Sequence, residues 1–264
     1  MSLLDYLRED PDCRNLIDGA VHAVAPALDD PDPAPVAHIL DAWAFTLAGR
    51  MPLPWNTHKA IDALNHLLFE ELGFSGDRET YDDPLNALLP TVISRRKGLP
   101  ITLAILWVEL ARRLGFDAVG VGLPGHFIAA LRTDFGLLCF DPFHGGRALG
   151  EEGAAELVKA TSGGRLAFHR DMLRPATGRE TLVRLVRNLH LRFMHAESWE
   201  EALWTSTHLV LLDPANPAPW KERALVHLQR QEPVAARADL REALRLSRET
   251  DPEIHAWLHS LEQG

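Results

Sequence analysis

The stretch VGVGLPGHFIAAL, residues 119–131, places His126 between a glycine and a phenylalanine inside an apolar run. A second stretch, LLCFDPFHGG at residues 137–146, places Asp141 in similar surroundings. Short apolar runs separated by Pro-Gly and Asp-Phe-Gly turns predict a small antiparallel sheet. Because the histidine and the aspartate then lie at adjoining ends of paired strands, we predict a hydrogen bond between them. They correspond to two of the three residues of a catalytic triad.

Four helical patterns precede these strands. Apolar residues recur at three- and four-residue steps in PVAHILDAWAFTLAG (35–49) and HKAIDALNHLLFEELGF (58–74). In DDPLNALLPTVISRRKG (82–98), Pro90 is expected to kink the helix or to split it into two short ones. The most apolar pattern, PITLAILWVELARRLG (100–115), ends in arginines and a glycine. Helices followed by strands predict an α+β domain.

A change of charge and composition divides the chain near TSGGRLAFHRDMLRPATGRE, residues 161–180. Residues 1–164 contain 13 basic and 23 acidic residues, whereas residues 165–250 contain 14 basic and 11 acidic residues. The dividing stretch is rich in turn-forming residues. We therefore predict one domain over residues 1–164 and a second domain over residues 178–264.

An internal repeat with a period of 34 residues follows, with windows at 183–216 and 217–250. Ala202 and Ala236 coincide under this shift, as small residues do where two helices of a tetratricopeptide repeat touch closely. Polar side chains break the apolar pattern at His190, Ser206 and Arg223. The second domain is predicted to be an all-α, tetratricopeptide-like helical module.

Composition argues against several classes of partner. The formal net charge of −10 over 264 residues argues against nucleic-acid phosphate and against an anionic membrane surface. No apolar run approaches the roughly 20 residues that span a bilayer. The N-terminal residues do not have the pattern of a signal peptide. Two cysteines without a pairing pattern suit a reducing compartment, so the sequence predicts a soluble cytoplasmic protein.

Three short motifs keep one order and spacing: Arg-Leu-Gly at 113–115, His-Phe at 126–127 and Asp-Pro at 141–142. This arrangement resembles the core of the transglutaminase-like superfamily. In that pattern a catalytic cysteine starts the helix that ends in Arg-x-Leu-Gly, and the histidine and aspartate follow on strands. The resemblance implies a transglutaminase-like, papain-like core within the α+β domain.

Two longer segments narrow the resemblance. GFSGDRETYDDPLNALLPTVISRRKGLPITLA (73–104), together with LPGHF and DPFHGG, is similar to a bacterial subfamily that joins this core to tetratricopeptide repeats, the SirB-type family. The resemblance is strong over residues 35–150 and looser over residues 180–250. It implies a protein of two parts, a transglutaminase-like core and a repeat module that binds a protein or peptide partner.

The chain departs from the superfamily pattern at the nucleophile. Counting back from Gly115, the position of the catalytic cysteine falls on Pro100, which has no nucleophilic atom. Cys13 lies near the N-terminus and Cys139 lies two residues before Asp141, so neither replaces it easily. The nearest hydroxyl belongs to Thr102, in the first turn of the same helix, where a threonine commonly has a capping or packing role.

Three interpretations of His126 and Asp141 remain open. In the first, the two residues form a dyad that lines a ligand-binding groove with Pro100, Phe127 and His144. In the second, they are a buried pair that holds two strands together. The third is a metal site of two histidines and one carboxylate, which neither a cysteine nor a cluster of glutamates supports. We expect no metal and no other cofactor.

Three functions follow, from different classes. The leading hypothesis is a non-catalytic binding or regulatory protein whose degenerate core carries a protein-binding repeat module. The alternative is a cysteine-independent hydrolase or acyltransferase, in which Thr102 or an activated water attacks while His126 and Asp141 assist. It requires His126 within hydrogen-bond reach of Thr102 in an open cleft. The third is a purely structural scaffold.

Overall fold

The structure is a computed structural model, and the residues it describes are 1–50, 56–248 and 250–263. Three parts of the predicted domain and repeat ranges lie outside the described residues: 51–55, 249 and 264. The chain divides into two compact units, Met1–Thr181 and Leu182–Gly264. The predicted α+β class and the helical C-terminal module are both confirmed. No helix of the described residues is long and apolar enough to cross a membrane.

Helices dominate the first part of the first unit. Their bounds are α1 Leu3–Glu9, α2 Leu16–Ala23, α3 Ala34–Arg50, α4 Thr57–Asn65, α5 Leu89–Arg95 and α6 Pro100–Arg113. Helix α4 continues into a π-helical turn, His66–Glu71. The predicted split at Pro90 is confirmed, because a 3₁₀ turn at Pro84–Ala87 precedes α5 and is separate from it. The ring of Pro90 then occupies the first turn of α5, where its missing N–H breaks no helical bond.

Helix α6 is the centre of this unit. All its residues from Pro100 to Ala111 are buried, as expected for a helix that is surrounded by other elements. The side chain of Trp107 is fully buried, stacks on Phe140 at a centroid distance of 5.1 Å, and donates a hydrogen bond to Asn65 Oδ1 at 2.8 Å. The one buried acid of the helix, Glu109, is paired with Arg112 and Arg113.

Two sheets accompany these helices. Two short strands, β1 Ser75–Gly76 and β2 Lys97–Gly98, pair with each other in parallel. Helix α5 lies between them in the sequence. The larger sheet consists of β3 Ala118–Leu123, β4 His126–Thr133, β5 Gly136–Asp141, β6 Arg147–Leu149 and β7 Pro175–Ala176. Its spatial order is β6-β5-β4-β3-β7, and every pair is antiparallel. The three predicted strands are therefore its central strands.

The segment proposed as a domain boundary contributes to the first unit. Helix α7, Glu151–Thr161, packs Leu157 and Val158 against one face of the larger sheet. The chain then passes through a 3₁₀ turn at Arg170–Leu173 and adds β7 to the sheet edge beside β3. The sequence missed β7 because a two-residue strand that contains proline has no alternation of apolar residues.

The second unit is helical. Its helices are α8 Gly178–His195, which begins before the unit does, α9 Trp199–Leu212, α10 Pro217–Gln229, α11 Pro233–Leu246 and α12 Pro252–Gln263. The predicted close contacts at Ala202 and Ala236 agree with the burial of both residues at 0% exposure.

Polar residues that break the repeat pattern have partners inside the second unit. His190 on α8 is 2% exposed, and its Nδ1 lies 3.0 Å from the hydroxyl of Thr205 on α9. Arg223 on α10 makes two hydrogen bonds of 2.7 Å to the carboxylate of Asp239 on α11. A paired polar side chain therefore replaces an apolar contact between helices without leaving a buried group unsatisfied.

Candidate functional site

The hairpin of β4 and β5 places His126 and Asp141 together. The two strands are antiparallel, with Ala129 paired to Phe140, so the start of β4 and the end of β5 lie at the same end of the hairpin. Nε2 of His126 lies 3.0 Å from Oδ1 of Asp141. The two side chains are buried, at 4% and 0% exposure. The hydrogen bond predicted between them is confirmed.

His144 joins this pair from the other side. A 3₁₀ turn, Pro142–His144, follows β5 and brings Nδ1 of His144 to 2.6 Å from Oδ2 of Asp141. The imidazole rings of His126 and His144 are stacked, with centroids 5.7 Å apart and planes at 29°. We call His126, Asp141 and His144 the histidine cluster. Each oxygen of its carboxylate has an imidazole nitrogen of its own.

Asp141 is ionised in this cluster. Burial alone would raise the pKa of its carboxyl group, but hydrogen bonds and charge interactions from His126 and His144 outweigh burial and hold the pKa below its usual value. Nη2 of Arg147 adds positive charge 3.8 Å from Oδ2. An ionised carboxylate only accepts hydrogen bonds, so both imidazole nitrogens donate to it.

The start of helix α6 is a separate polar cluster. Pro100 is the first residue of the helix and is buried. The Thr102 hydroxyl accepts a hydrogen bond from the Leu99 N–H at 2.9 Å and lies 3.0 Å from the Asn86 carbonyl and 3.1 Å from the Leu99 carbonyl. These bonds satisfy backbone groups at the helix end, which is the capping role that threonine commonly has.

The same cluster continues into the loop before α5. The Asn86 side-chain amide donates to the Thr80 carbonyl at 2.7 Å and to Oδ2 of Asp77 at 3.1 Å. Asp77, 1% exposed, also accepts from the N–H and the hydroxyl of Thr80 at 2.9 and 2.5 Å. Hydrogen bonds from Thr80 are the main cause that lowers the pKa of Asp77 to about 2. We call Asp77, Thr80, Asn86 and Thr102 the loop network.

The sequence pattern does not predict a role for Asp77. Its only local signal is the spacing of Asp77 and Thr80, since an aspartate commonly bonds to a backbone N–H two or three residues further along the chain. The bond to Asn86 crosses nine residues and needs the folded loop.

Comparison with known proteins now identifies the family. The model of the transglutaminase-like superfamily matches residues 34–187, and a tetratricopeptide repeat model matches residues 189–259. The chain belongs to the transglutaminase-like superfamily. Its transglutaminase-like unit is the first unit, Met1–Thr181, and its repeat unit is the second, Leu182–Gly264.

Similarity to known relatives places the chain in the SirB-type family. A UPF0162 protein of Pseudomonas aeruginosa is 32% identical over 246 residues, which is 92% of this chain and 88% of the relative. A UPF0162 protein of Xylella fastidiosa is 41% identical over 187 residues, and the match covers 70% of this chain but only 66% of that relative. Protein SirB1 of Salmonella typhimurium is 25% identical over 170 residues, 64% of this chain and 63% of SirB1. No solved structure matches the chain.

The transglutaminase-like unit does not bring Thr102 to the histidine. Among the residues that the structure describes, the hydroxyl of Thr102 has hydrogen bonds only to backbone groups of Asn86 and Leu99. Thr102 is also 0% exposed. The structure therefore places Thr102 in a helix cap, and its burial and backbone hydrogen bonds do not favour it as a nucleophile, which needs a base beside it and access to a substrate.

Neither cysteine of the transglutaminase-like unit takes over the missing role. Cys139 is 5% exposed and packs in the apolar cluster between the sheet and α7, where burial raises the pKa of its thiol to about 11. Cys13 is 0% exposed, and burial raises the pKa of its thiol as well. Thiols that stay protonated and buried are poor nucleophiles.

The groove predicted from Pro100, Phe127 and His144 also needs correction. Pro100 is buried, and Phe127 is 2% exposed because its ring fills the space left by the missing side chain of Gly120. These two residues are core residues and do not line a groove. His144 differs from them, since 26% of its side chain is exposed.

Proposed function

We propose that this protein is a non-catalytic binding or regulatory protein, a pseudoenzyme of the transglutaminase-like superfamily. The observation that carries the proposal is the start of helix α6, where Pro100 is the first residue, at the position to which the resemblance assigns the cysteine. The hydroxyl closest to it along the helix is bonded to the backbone. Histidine and aspartate assist a nucleophile, but by themselves they do not replace it.

The repeat unit supports the binding part of the proposal. Tetratricopeptide repeats stack helix pairs into extended surfaces, and such surfaces commonly bind peptides or proteins. Leu191 on α8 is a large apolar residue that is 49% exposed within this unit, and it offers a contact for a partner. We propose that the partner is a protein or a peptide and not a nucleic acid, because the net charge of −10 repels phosphate. We also propose a cytoplasmic location, because both cysteines are free thiols, which persist in a reducing compartment.

Turnover assays test the catalytic part. The full chain is incubated with activated esters and with pairs of a glutaminyl peptide and a primary amine, and product is compared with that of a His126→Gln variant. We expect equal, background rates for both proteins. Turnover by the native chain that the variant loses would establish the alternative, a hydrolase or acyltransferase that uses water activated by His126.

Binding assays with two matched variants test the other part. A partner is first identified by cross-linking in cells and then purified, so that its direct affinity for the full chain is measured by calorimetry. We expect Leu191→Glu in the repeat unit to weaken binding at least about 10-fold, since a charge replaces an apolar contact. The control is Phe135→Glu, a fully exposed position in the transglutaminase-like unit, which should bind like the native chain. Equal affinities for all three proteins would contradict a role of this repeat surface.

A further inference from the structure

The histidine cluster has the composition of a metal site. His126, Asp141 and His144 each offer one ligand atom, a ring nitrogen or a carboxylate oxygen, and these atoms all lie within 4.8 Å of one another. His126 is the first residue of β4, Asp141 is the last residue of β5, and His144 ends the 3₁₀ turn that follows. Two imidazoles and one carboxylate, with a further position open to water, form the ligand set of several catalytic zinc sites and of non-haem iron sites.

We propose that His126, Asp141 and His144 bind a divalent first-row transition-metal cation such as Zn²⁺. A pair that only holds two strands together needs one histidine on the aspartate. Here a second imidazole occupies the other carboxylate oxygen, at 2.6 Å, and stacks on the first. The three side chains therefore bring their ligand atoms close together, which strand pairing alone does not require.

Metal binding requires each imidazole to transfer the proton it donates to Asp141 to its other ring nitrogen, so that the freed lone pair faces the cation. The donor atoms then need only a small movement. Tetrahedral Zn²⁺ with bonds of about 2.0–2.1 Å separates neighbouring donor atoms by about 3.3 Å. The donor nitrogen of His126 is already 3.0 Å from Asp141 Oδ1, whereas that of His144 is 2.6 Å from Oδ2. His144 therefore has to withdraw further. It is also the more exposed ring, and it ends a three-residue turn that is followed by Gly145 at a φ of 74°.

Surrounding residues fix the donors and leave an entrance. The ring of Phe143 makes edge contacts with both imidazoles, at centroid distances of 5.8 Å to His126 and 5.2 Å to His144. The N–H of Gly146 bonds to the Asp141 carbonyl at 2.8 Å. These contacts restrict the movement of the two rings and of the end of β5. The partial exposure of His144 gives a cation and a water molecule access to the cluster.

Zinc titration of the full chain tests the site. Untagged protein is treated with a chelator, dialysed, and titrated with ZnCl₂ in competition with a chromophoric zinc indicator. We expect one tightly bound Zn²⁺ per chain, and we expect His144→Ala to weaken its affinity at least about 100-fold, since even the loss of a supporting residue weakens metal sites by 10- to 100-fold. The matched control is His38→Ala, an exposed histidine on α3 that is outside the cluster. Absence of tight binding, or equal affinity in His144→Ala, would overturn the proposal.

A second measurement uses only the native chain, so it does not depend on whether a variant folds. X-ray absorption of the native chain loaded with one Zn²⁺ should show a first shell of two imidazoles with oxygen donors. A shell with one imidazole or with sulfur would overturn the assignment. The metal site does not rest on the proposed function: zinc binding without turnover leaves both intact, whereas turnover that appears only with zinc would contradict the non-catalytic role and support the site.

Discussion

The loop network and the histidine cluster are both buried and hydrogen-bonded, but their atoms have different chemical capacities. In the loop network, every bond of the Thr102 hydroxyl goes to a backbone group, and the one ionisable member, Asp77, accepts bonds from Thr80 and Asn86. In the histidine cluster, two imidazoles share the carboxylate of Asp141. The first arrangement uses most of its polar atoms to hold the chain, although Oδ1 of Asn86 is buried without a hydrogen-bond partner among the described residues. The second collects nitrogen and oxygen atoms that can bind a proton or a metal.

This difference explains why a triad is not assembled. His126 and Asp141 are hydrogen-bonded to each other, but the hydroxyl of Thr102, which is nearest to Pro100 along α6, belongs to the loop network. A nucleophile has to share a hydrogen bond with its base. In this chain the hydroxyl at the start of α6 and the histidine at the start of β4 therefore belong to two separate hydrogen-bond clusters.

The largest expected effect comes from removing the carboxylate of the loop network. Asp77→Ala leaves the Thr80 N–H, the Thr80 hydroxyl and the Asn86 amide without their acceptor. We expect a fall in the free energy of unfolding of about 3 kcal/mol, measured by urea denaturation. The control is Asp62→Ala, an exposed aspartate on α4, which should change stability by less than about 0.5 kcal/mol. Similar losses in both variants would mean that the network does not stabilise the fold.

A smaller effect is expected when the hydroxyl of Thr102 is removed. Thr102→Val has a similar shape, but it loses the bonds to Leu99 and Asn86, and we expect a loss of about 2 kcal/mol. Thr102→Ser retains the hydroxyl and should lose clearly less than the valine variant in the same urea experiment. If serine and valine were equally destabilising, the methyl group rather than the hydroxyl would matter, and the capping role would be wrong.

Acid denaturation should show the smallest effect. The pKa of Asp77 in the folded chain is about 2, below its ordinary value of 3.8, so its stabilisation is complete above about pH 4. This contribution is lost as the pH falls from about 4 through about 2. We expect the native chain to lose on the order of 1 kcal/mol more than Asp77→Asn over this range, because the variant has no such carboxyl group to protonate. Parallel stability curves would contradict the lowered pKa.

Much of the fold follows from local patterns in the sequence. Helix α6 and strands β3 to β5 were predicted because their apolar periodicity and turn residues agree with each other. Pro90 separates two short helices as expected, and the hydrogen bond of His126 and Asp141 follows from the short hairpin that joins their strands.

Other features depend on contacts that sequence spacing does not show. The burial of Pro100 and Phe127 results from packing, which removes them from the predicted groove. Strand β7 pairs with β3, and Asn86 bonds to Asp77. In both cases the contacting residues are separated along the chain, and no sequence pattern links them. The sequence suggested His144 as a third metal ligand but did not favour it, because only the folded turn brings His144 onto Asp141.

The separation of Thr102 from the histidine cluster is the central claim, and nuclear magnetic resonance of the His126 ring tests it most directly. Ring nitrogen chemical shifts report the hydrogen-bond partners of an imidazole, and the His126 signals are assigned among the 13 histidines by their loss in His126→Gln. We predict that Thr102→Val leaves these shifts at their native values, whereas His144→Ala changes them because it removes the second imidazole from Asp141. Shifts in Thr102→Val as large as those in His144→Ala would show that the hydroxyl serves the histidine and would contradict the account.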